Sequence, residues 1–269
     1  MPAEDGMQQR AESFGQVADD YERLRPEYPA EVFDEVLAAA GARVAIGVLE
    51  IGAGGGRATL PFALRGVDLV AVEPSADMVR VLRARLRDEC PNGTVTIRQQ
   101  SFDELNATDG RFGIAIAAQS LHWTDPATRW ARLADLLSVD GMAAIFWNEW
   151  ALDGQAHDTD RVSATYADLG PDLVPDLDET PDDHRERTWV EDEIGNEPRL
   201  SPVRKKIFPW SRVLRVDDYL GLLSTTSQYV VASPMTRITL FGALRQVLGD
   251  EVHLAGRTVL LTTHRLARF

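Results

Sequence analysis

Val48-Leu49-Glu50-Ile51-Gly52-Ala53-Gly54-Gly55-Gly56-Arg57 is an apolar run that breaks into a glycine-rich turn, and about twenty residues later a second apolar run, Leu69-Val70-Ala71-Val72, ends in Glu73. Glycines at 52, 54, 55 and 56 let the backbone turn sharply and come close to a ligand. An acidic side chain ending the next strand can accept hydrogen bonds from both hydroxyls of a ribose. Together the turn and the acid predict a nucleotide-like cofactor on an α/β fold. A dinucleotide fingerprint, Gly-x-Gly-x-x-Gly, needs its third glycine for close packing of the helix on the strand, so that the helix N-terminus meets a pyrophosphate. Counting from Gly52, that position is Arg57. The departure counts against a dinucleotide and fits a ligand with no pyrophosphate.

Outward from this turn the chain alternates. Residues 31–40 carry Val32, Phe33, Val36 and Leu37 at helical spacing, and Gly41 stops them. Strands are expected over 45–51, 69–73, 95–99, 113–118 and 142–147, with helices over 57–64, 76–87 and 126–137 between them. Such alternation predicts right-handed crossovers and a mostly parallel sheet covered by helices on both faces, with ligands at the carboxyl ends of the strands. Between 151 and 199 Asp and Glu dominate, prolines recur at 171, 175, 181 and 198, and strand signals vanish. Tyr166, Trp189 and scattered leucines favour a packed helical cap there over a disordered insertion. A strand over 203–208, helices over 216–224 and 235–248 and a last strand over 257–266 close the chain. The expected division is an arm and helix (1–40), a cofactor-binding core (41–150), an acidic cap (151–200) and a part that completes the sheet (201–269).

At 269 residues and 44% hydrophobic content the chain can bury a full core, and its net charge is −14 with Lys205 and Lys206 as the only lysines. An acidic surface repels phosphate backbones, which counts against nucleic acid and anionic membranes as partners. Arg80, Arg83 and Arg87 share a helical face and read as solvated. Cys90 is the sole cysteine, so no disulfide can form within the chain. The opening Met1-Pro2-Ala3-Glu4-Asp5 has neither a basic nor an apolar region, and no apolar run is long enough to span a bilayer. A soluble, cytoplasmic protein acting on a small molecule is the expectation, as a monomer or a homodimer.

With Glu50 opening the turn and Glu73-Pro74-Ser75 closing the second strand, the segment resembles the cofactor site of the class I S-adenosylmethionine-dependent methyltransferases. Two further stretches extend the likeness. Phe14-Gly15-Gln16-Val17-Ala18-Asp19-Asp20-Tyr21-Glu22-Arg23-Leu24-Arg25-Pro26-Glu27-Tyr28-Pro29 is similar to the N-terminal segment of the small-molecule group that includes the trans-aconitate and juvenile-hormone-acid enzymes. Gln119-Ser120-Leu121-His122-Trp123 is similar to the Gln-x-x-His-Trp that relatives carry after the fourth strand. The resemblance implies a Rossmann-like seven-stranded sheet whose last strand lies antiparallel beside the fifth. It also implies S-adenosylmethionine as cofactor, leaving as S-adenosylhomocysteine. Glu50, Gly52, Ala53 and Gly54 would lie under the methionine moiety, Glu73 and Pro74 at the ribose, and Met78, Ser101 and Phe102 at the adenine. Arg25 and Tyr28 would reach the methionyl carboxylate, and Gln119 would stand beside the cofactor. Phe14, Tyr21, Trp123, Asn148 and Trp150 would line the substrate pocket. His122 would be either a general base or a donor orienting an ionised acceptor, with Glu149 as the reserve base.

Other constellations fail on spacing. Ser120, His122 and Asp125 lack a Gly-x-Ser-x-Gly elbow, and neither His157 with Asp158 and Asp160 nor Asp182-Asp183-His184 has recognised metal spacing. No metal is expected. The expected reaction is methyl transfer to a small molecule, with a carboxylate or a hydroxyl as the acceptor classes to consider first. Two alternatives share the cofactor residues: a protein that binds S-adenosylmethionine without methylating, and an NAD-dependent oxidoreductase, against which Arg57 and the Gln119–Trp123 stretch argue.

Overall fold

A computed structural model of the chain describes residues 24–106, 111–173 and 189–267. In chain order it holds α1 (Ala30–Ala40), β1 (Val48–Ile51), α2 (Thr59–Leu64), β2 (Leu69–Val72), α3 (Ala76–Glu89), β3 (Val95–Arg98) and β4 (Phe112–Ala118). After these come α4 (Arg129–Leu136), β5 (Leu137–Leu152), α5 (Thr159–Leu169), α6 (Trp189–Ile194), β6 (Arg204–Arg215), α7 (Val216–Ser224), α8 (Ser227–Val231), α9 (Pro234–Leu248) and β7 (Glu251–His264). The described strands form one seven-stranded sheet in the order β3-β2-β1-β4-β5-β7-β6. The strands β1 to β5 are parallel, and β7 runs antiparallel between β5 and β6. The chain works outward from β1 to β3 and then returns to lay β4 on the other side of β1. Their carboxyl ends therefore flank the point where strand order reverses, and in open α/β sheets that is where a ligand crevice forms. The last strand pairs with β5 as the sequence implied, but β6 covers its other edge, so β7 is interior to the sheet rather than free for a subunit contact.

Both faces of the central strands are covered, which is why β1 reads as an unbroken run and all four of its residues are buried. On one face Phe33, Val36 and Phe62 pack on Ile114, Ala144, Phe146 and Leu260. On the other, Trp130, Leu133, Val190 and Ile194 pack on Ile51, Ala143, Ile145, Trp147 and Val259. Arg80, Arg83 and Arg87 of α3 point to solvent, while Val79 and Leu82 are buried.

Several strand bounds differ from expectation for definite reasons. Gly41–Ile46 forms a 3-10 helix in place of the start of the first strand, and the Gly47 carbonyl takes the amides of Gly113 and Ile114, so β1 begins only at Val48. At the other side β5 does not stop at Trp147. It continues to Leu152, paired residue for residue with β7 down to Leu254, and β6 likewise runs on to Arg215. This outer part of the ladder supports the cap. Leu152, Leu214 and Leu254 pack with Val162 and Tyr166 of α5, Tyr219 and Leu222 of α7, Tyr229 of α8, and Leu240 and Leu244 of α9. The Tyr166 and Tyr229 hydroxyls share a buried hydrogen bond of 2.5 Å. The two described helices of the acidic insertion go to different places: α5 joins the cap, whereas α6 packs back on the sheet beside Trp130 and Leu133.

The turn that leads from β5 into α5 is tied to β7 through a histidine. His157 Nε2 accepts the His253 amide at 2.8 Å, and the Asp153 amide donates to the His253 carbonyl at 3.0 Å. Only a neutral imidazole offers that lone pair. Burial, together with the nearby His253, holds the His157 imidazole below its usual 6.5, with Asp153 acting in the opposite sense. A lowered folded value means that the unfolded chain binds the proton more readily. The joint is then fully stabilising above about pH 6.5 and loses its contribution as pH falls through the folded value. Chemical denaturation at a series of pH values should show stability declining below about 6.5, and His157→Gln, which keeps an acceptor that does not titrate, should flatten that decline. An unchanged slope in the variant would place the titration elsewhere.

Candidate functional site

The glycine turn is built by the end of β2. The Gly52 and Ala53 amides both donate to the Val72 carbonyl, at 2.8 and 3.0 Å, and this folds the turn across the neighbouring strand. Gly52, Gly54 and Gly56 take φ values of 66°, 55° and 95°, a region that side chains with a Cβ disfavour. A Cβ on Gly52 would lie 2.5 Å from that of Ser120, whereas a Cβ on Gly54 would meet no protein atom within 4 Å. The turn is thus packed against Ser120, two residues beyond β4, on one side and open at Gly54.

Two carboxyl groups stand under the turn. Glu73 is 8% exposed, and its two oxygens accept the Gly54 and Ser75 amides, each at 2.9 Å. Each oxygen retains a further lone pair, so the group can still accept two hydroxyls. Burial raises its carboxyl above the usual range, and the two amides act in the opposite sense. Glu50 is 1% exposed and accepts the Thr59 hydroxyl at 2.6 Å. Burial pushes it up to about 8; the Thr59 hydroxyl opposes this and the neighbouring Glu73 adds to it. A carboxyl at that value is mostly protonated at pH 7 in the ligand-free protein.

Opposite the turn, the end of β4 bends sharply. Gln119 takes φ 52°, its amide donates to the Phe146 carbonyl at 2.9 Å, and its side-chain amide donates to the Asn148 carbonyl at 3.0 Å. A left-handed non-glycine residue costs about 1 kcal/mol, which these two bonds offset. The buried Ser120 hydroxyl bonds the Ile51 carbonyl and so fastens the bend to the glycine turn. Leu121–Trp123 then forms one 3-10 turn in which the His122 and Trp123 rings lie 4.7 Å apart. Arg129, buried in α4, donates to the Leu121 carbonyl at 3.1 Å while its guanidinium sits 4.8 Å from the Trp189 ring. A pocket opens here, lined by Ala117, Gln119, Ser120, Leu121, His122, Ile145, Phe146, Trp147 and Trp189.

The structure therefore brings Gly52, Ala53, Gly54, Glu50, Glu73, Gln119 and His122 to one end of the sheet, with Pro74 and Ser101 at its rim. Ser101 is half-buried, and its amide and hydroxyl both turn to Glu104. Other expected contacts go elsewhere. The Phe102 ring and Met78 are core residues, 4% and 5% exposed. Arg25 bonds the hydroxyl and carbonyl of Thr225, at 3.1 and 3.2 Å, next to the end of α7. The Tyr28 ring packs edge-on against Phe146 (4.8 Å) and Phe33 (6.3 Å) in the core. Asn148 is buried, accepts the Thr258 hydroxyl and donates to the Pro26 and Glu27 carbonyls. Glu149 has one oxygen on the Trp147 indole (2.7 Å) and the other on Arg257 (2.6 Å), so it is no reserve base. Trp150 lies edge-on to Tyr219 of the cap, 6.3 Å away. The physical reason is common to the last three: β5 continues through them, and a strand sends alternate side chains to opposite faces. Phe14 and Tyr21 lie outside the described residues.

Sequence reasoning missed Ser120, Thr59 and Trp147 as parts of the site. Ser120 stands inside the Gln119–Trp123 stretch, and only the close approach to Gly52 reveals its role. Trp189 reads as a packing residue in the sequence, but nothing local says that α6 returns to the pocket.

Residues 48–141 match a family described as a methyltransferase domain. An uncharacterized methyltransferase of Mycobacterium tuberculosis is 29% identical over 243 residues, covering 90% of this chain and 88% of that protein. Among solved structures, a candidate type II methyltransferase from Anaeromyxobacter dehalogenans superimposes with a TM-score of 0.59 at 22% identity, over 91% of this chain and 99% of that one. The YcgJ protein of Bacillus subtilis does so with a TM-score of 0.54 at 15% identity, over 88% and 99%. The methyltransferase-domain match favours methyl transfer over the NAD-dependent oxidoreductase reading, in keeping with Arg57 at the third position of the glycine turn. The chain is thus similar to methyltransferases in the segment around its glycine turn and, at lower identity, over most of its length, on a fold shared with solved methyltransferase structures.

Proposed function

We propose that this chain transfers a methyl group from S-adenosylmethionine to a small molecule whose acceptor atom, a carboxylate or a hydroxyl, enters beside His122. The observation that carries the reading is the Glu73 carboxyl, held by two backbone amides with lone pairs to spare, next to the open side of Gly54 and across from the His122 pocket. When bound, the cofactor supplies a methyl group made electrophilic by a positively charged sulfur. The chain's own residues do the rest. Glu73 accepts the ribose hydroxyls, and Glu50 faces the cationic amino end. Trp147 and Trp189 narrow the pocket and exclude water, and the rigid bend at Gln119 fixes where His122 stands. His122 either removes the proton of a hydroxyl or donates to a carboxylate that is already ionised. A small-molecule acceptor suits the net charge of −14, which disfavours nucleic acid and anionic membranes. No helix among the described residues is long and apolar enough to cross a membrane. We place the protein in the cytoplasm, as a monomer or homodimer.

Three measurements test this. Glu73→Ala should weaken S-adenosylhomocysteine binding by about 1 to 3 kcal/mol in calorimetry, the range for lost charged hydrogen bonds; an unchanged affinity would put the ribose elsewhere. Glu50, raised to about 8, makes the ligand-free protein less stable as pH climbs from 4.5 through that value, because the folded state holds the proton longer. A cationic ligand reverses the preference, so binding at pH 7 should release up to about one proton, seen as a dependence of the binding heat on buffer ionisation that Glu50→Gln removes. Finally, production of S-adenosylhomocysteine should be assayed against panels of carboxylic acids and alcohols. With an alcohol as acceptor, His122→Ala should cost about 100-fold or more in turnover, the range for a general base. With an acid it should cost about tenfold or less, the range for orientation alone. No turnover with any acceptor, despite tight binding, would favour a protein that binds the cofactor without methylating.

A further inference from the structure

The segment from Leu24 to Glu27 is held in an unusual way. It leaves a helical residue at Leu24, bends at Arg25 and runs on through Pro26 to Pro29 without regular structure, so its carbonyls have no ladder partners. Here four carbonyls in succession are taken by side chains of the core. The Leu24 carbonyl accepts Arg212 Nη1 at 2.9 Å, that of Arg25 accepts Arg57 Nη1 at 2.7 Å, and those of Pro26 and Glu27 accept Asn148 Nδ2 at 3.1 and 3.3 Å. Arg57 Nη1 also pairs with the Glu27 carboxylate at 3.0 Å. The segment is thus a strap laid across β5 and β6. Its centre is tied to the glycine turn through Arg57 and its start to the cap, since Arg25 bonds Thr225 next to the end of α7 and Leu24 packs on Gly221 within it.

Arg57 is placed to feel the turn. It follows Gly56, whose left-handed φ of 95° fixes the direction in which the chain leaves, and its side chain is 10% exposed. Any ligand that settles against the open side of Gly54 bears on the same turn, and Arg57 carries that to the strap through a charged contact and a carbonyl contact on adjacent stretches of it. Resting on the assignment of the turn to S-adenosylmethionine, we propose that Arg57 is a positioning residue that couples cofactor binding at the glycine turn to the closure of the Leu24–Tyr28 strap and, through Thr225, of the cap over the substrate pocket.

The test is amide hydrogen exchange in the full chain with and without S-adenosylhomocysteine, read on the amides of Arg25, Glu27 and Tyr28. In the native protein the ligand should slow their exchange by about tenfold, the scale of a few tightened hydrogen bonds. Arg57→Met keeps the apolar stem and removes every donor, so it should still bind the ligand and lose that slowing; Arg57→Lys should restore part of it. Should Arg57→Met fold poorly, Glu27→Gln provides the second arm. It alters a largely exposed side chain away from the turn, and it should likewise reduce the ligand-dependent slowing. A purely structural Arg57 would change exchange equally in both states and leave the increment intact, which overturns the proposal. So does a native protein that binds the ligand with no change in the strap. No binding by the native protein would remove the cofactor assignment and this coupling together.

Discussion

The buried carboxylate of Glu73 organises the site because it is already satisfied before any ligand arrives. Burying an ionised group is costly unless hydrogen bonds replace water, and here the Gly54 and Ser75 amides do so from opposite ends of the β2 crossing. The same bonds hold Gly54 in its left-handed conformation and begin α3, whose first residues follow Ser75. Glu50, on the adjacent strand, cannot ionise as easily in the same dry region. With the Thr59 hydroxyl as its hydrogen-bond partner it rests mostly protonated, up at about 8. One acid is held for hydrogen bonding and its neighbour is held in reserve as a latent negative charge. Turn geometry, helix start and electrostatics at this end of the sheet all follow from that division.

The opposite wall depends on strain balanced by bonds. Gln119 adopts a backbone conformation that few side chains accept, and it does so where the β4 chain must leave the sheet abruptly to clear the glycine turn. Ser120 then packs where a Gly52 side chain would be, so turn and bend are mutually exclusive with a larger residue at 52. Arg129 holds the next carbonyl, and the C-terminal helix of the acidic insertion stacks Trp189 on that guanidinium. The insertion is therefore two things: α5 extends the cap, while α6 serves as a wall of the pocket.

Much of this is legible in the sequence where the signal is local. The glycine turn with Glu73, the helix over 216–224 and the antiparallel place of the last strand all follow from spacing, periodicity and the implied topology. What escapes is set by partners distant in sequence. Asn148, Glu149 and Trp150 look like a loop after a strand, and a loop could turn all three into one pocket. Pairing with β7 keeps them in the strand, so Asn148 faces the arm, Glu149 the opposite side and Trp150 the cap. Phe102 is placed by partners distant in sequence too. It sits one residue beyond the rim, where its ring completes the core under β1 and β2.

Arg57 shows how one residue can be read correctly for the wrong purpose. In the sequence it matters as an absence, the third glycine that a pyrophosphate site would need. A missing glycine removes close backbone packing, yet it also places a long side chain with five donors at the hinge between turn and helix. Glycine there would leave the Arg25 carbonyl and the Glu27 carboxylate without the bonds that Arg57 now makes. The strap would then be held at Leu24 by Arg212 and at Pro26 and Glu27 by Asn148, with no tie to the cofactor turn at its centre. The same substitution that excludes a dinucleotide is what joins the arm to the site. In this chain, then, the position that departs from a dinucleotide turn is also the one whose side chain attaches the arm to that turn.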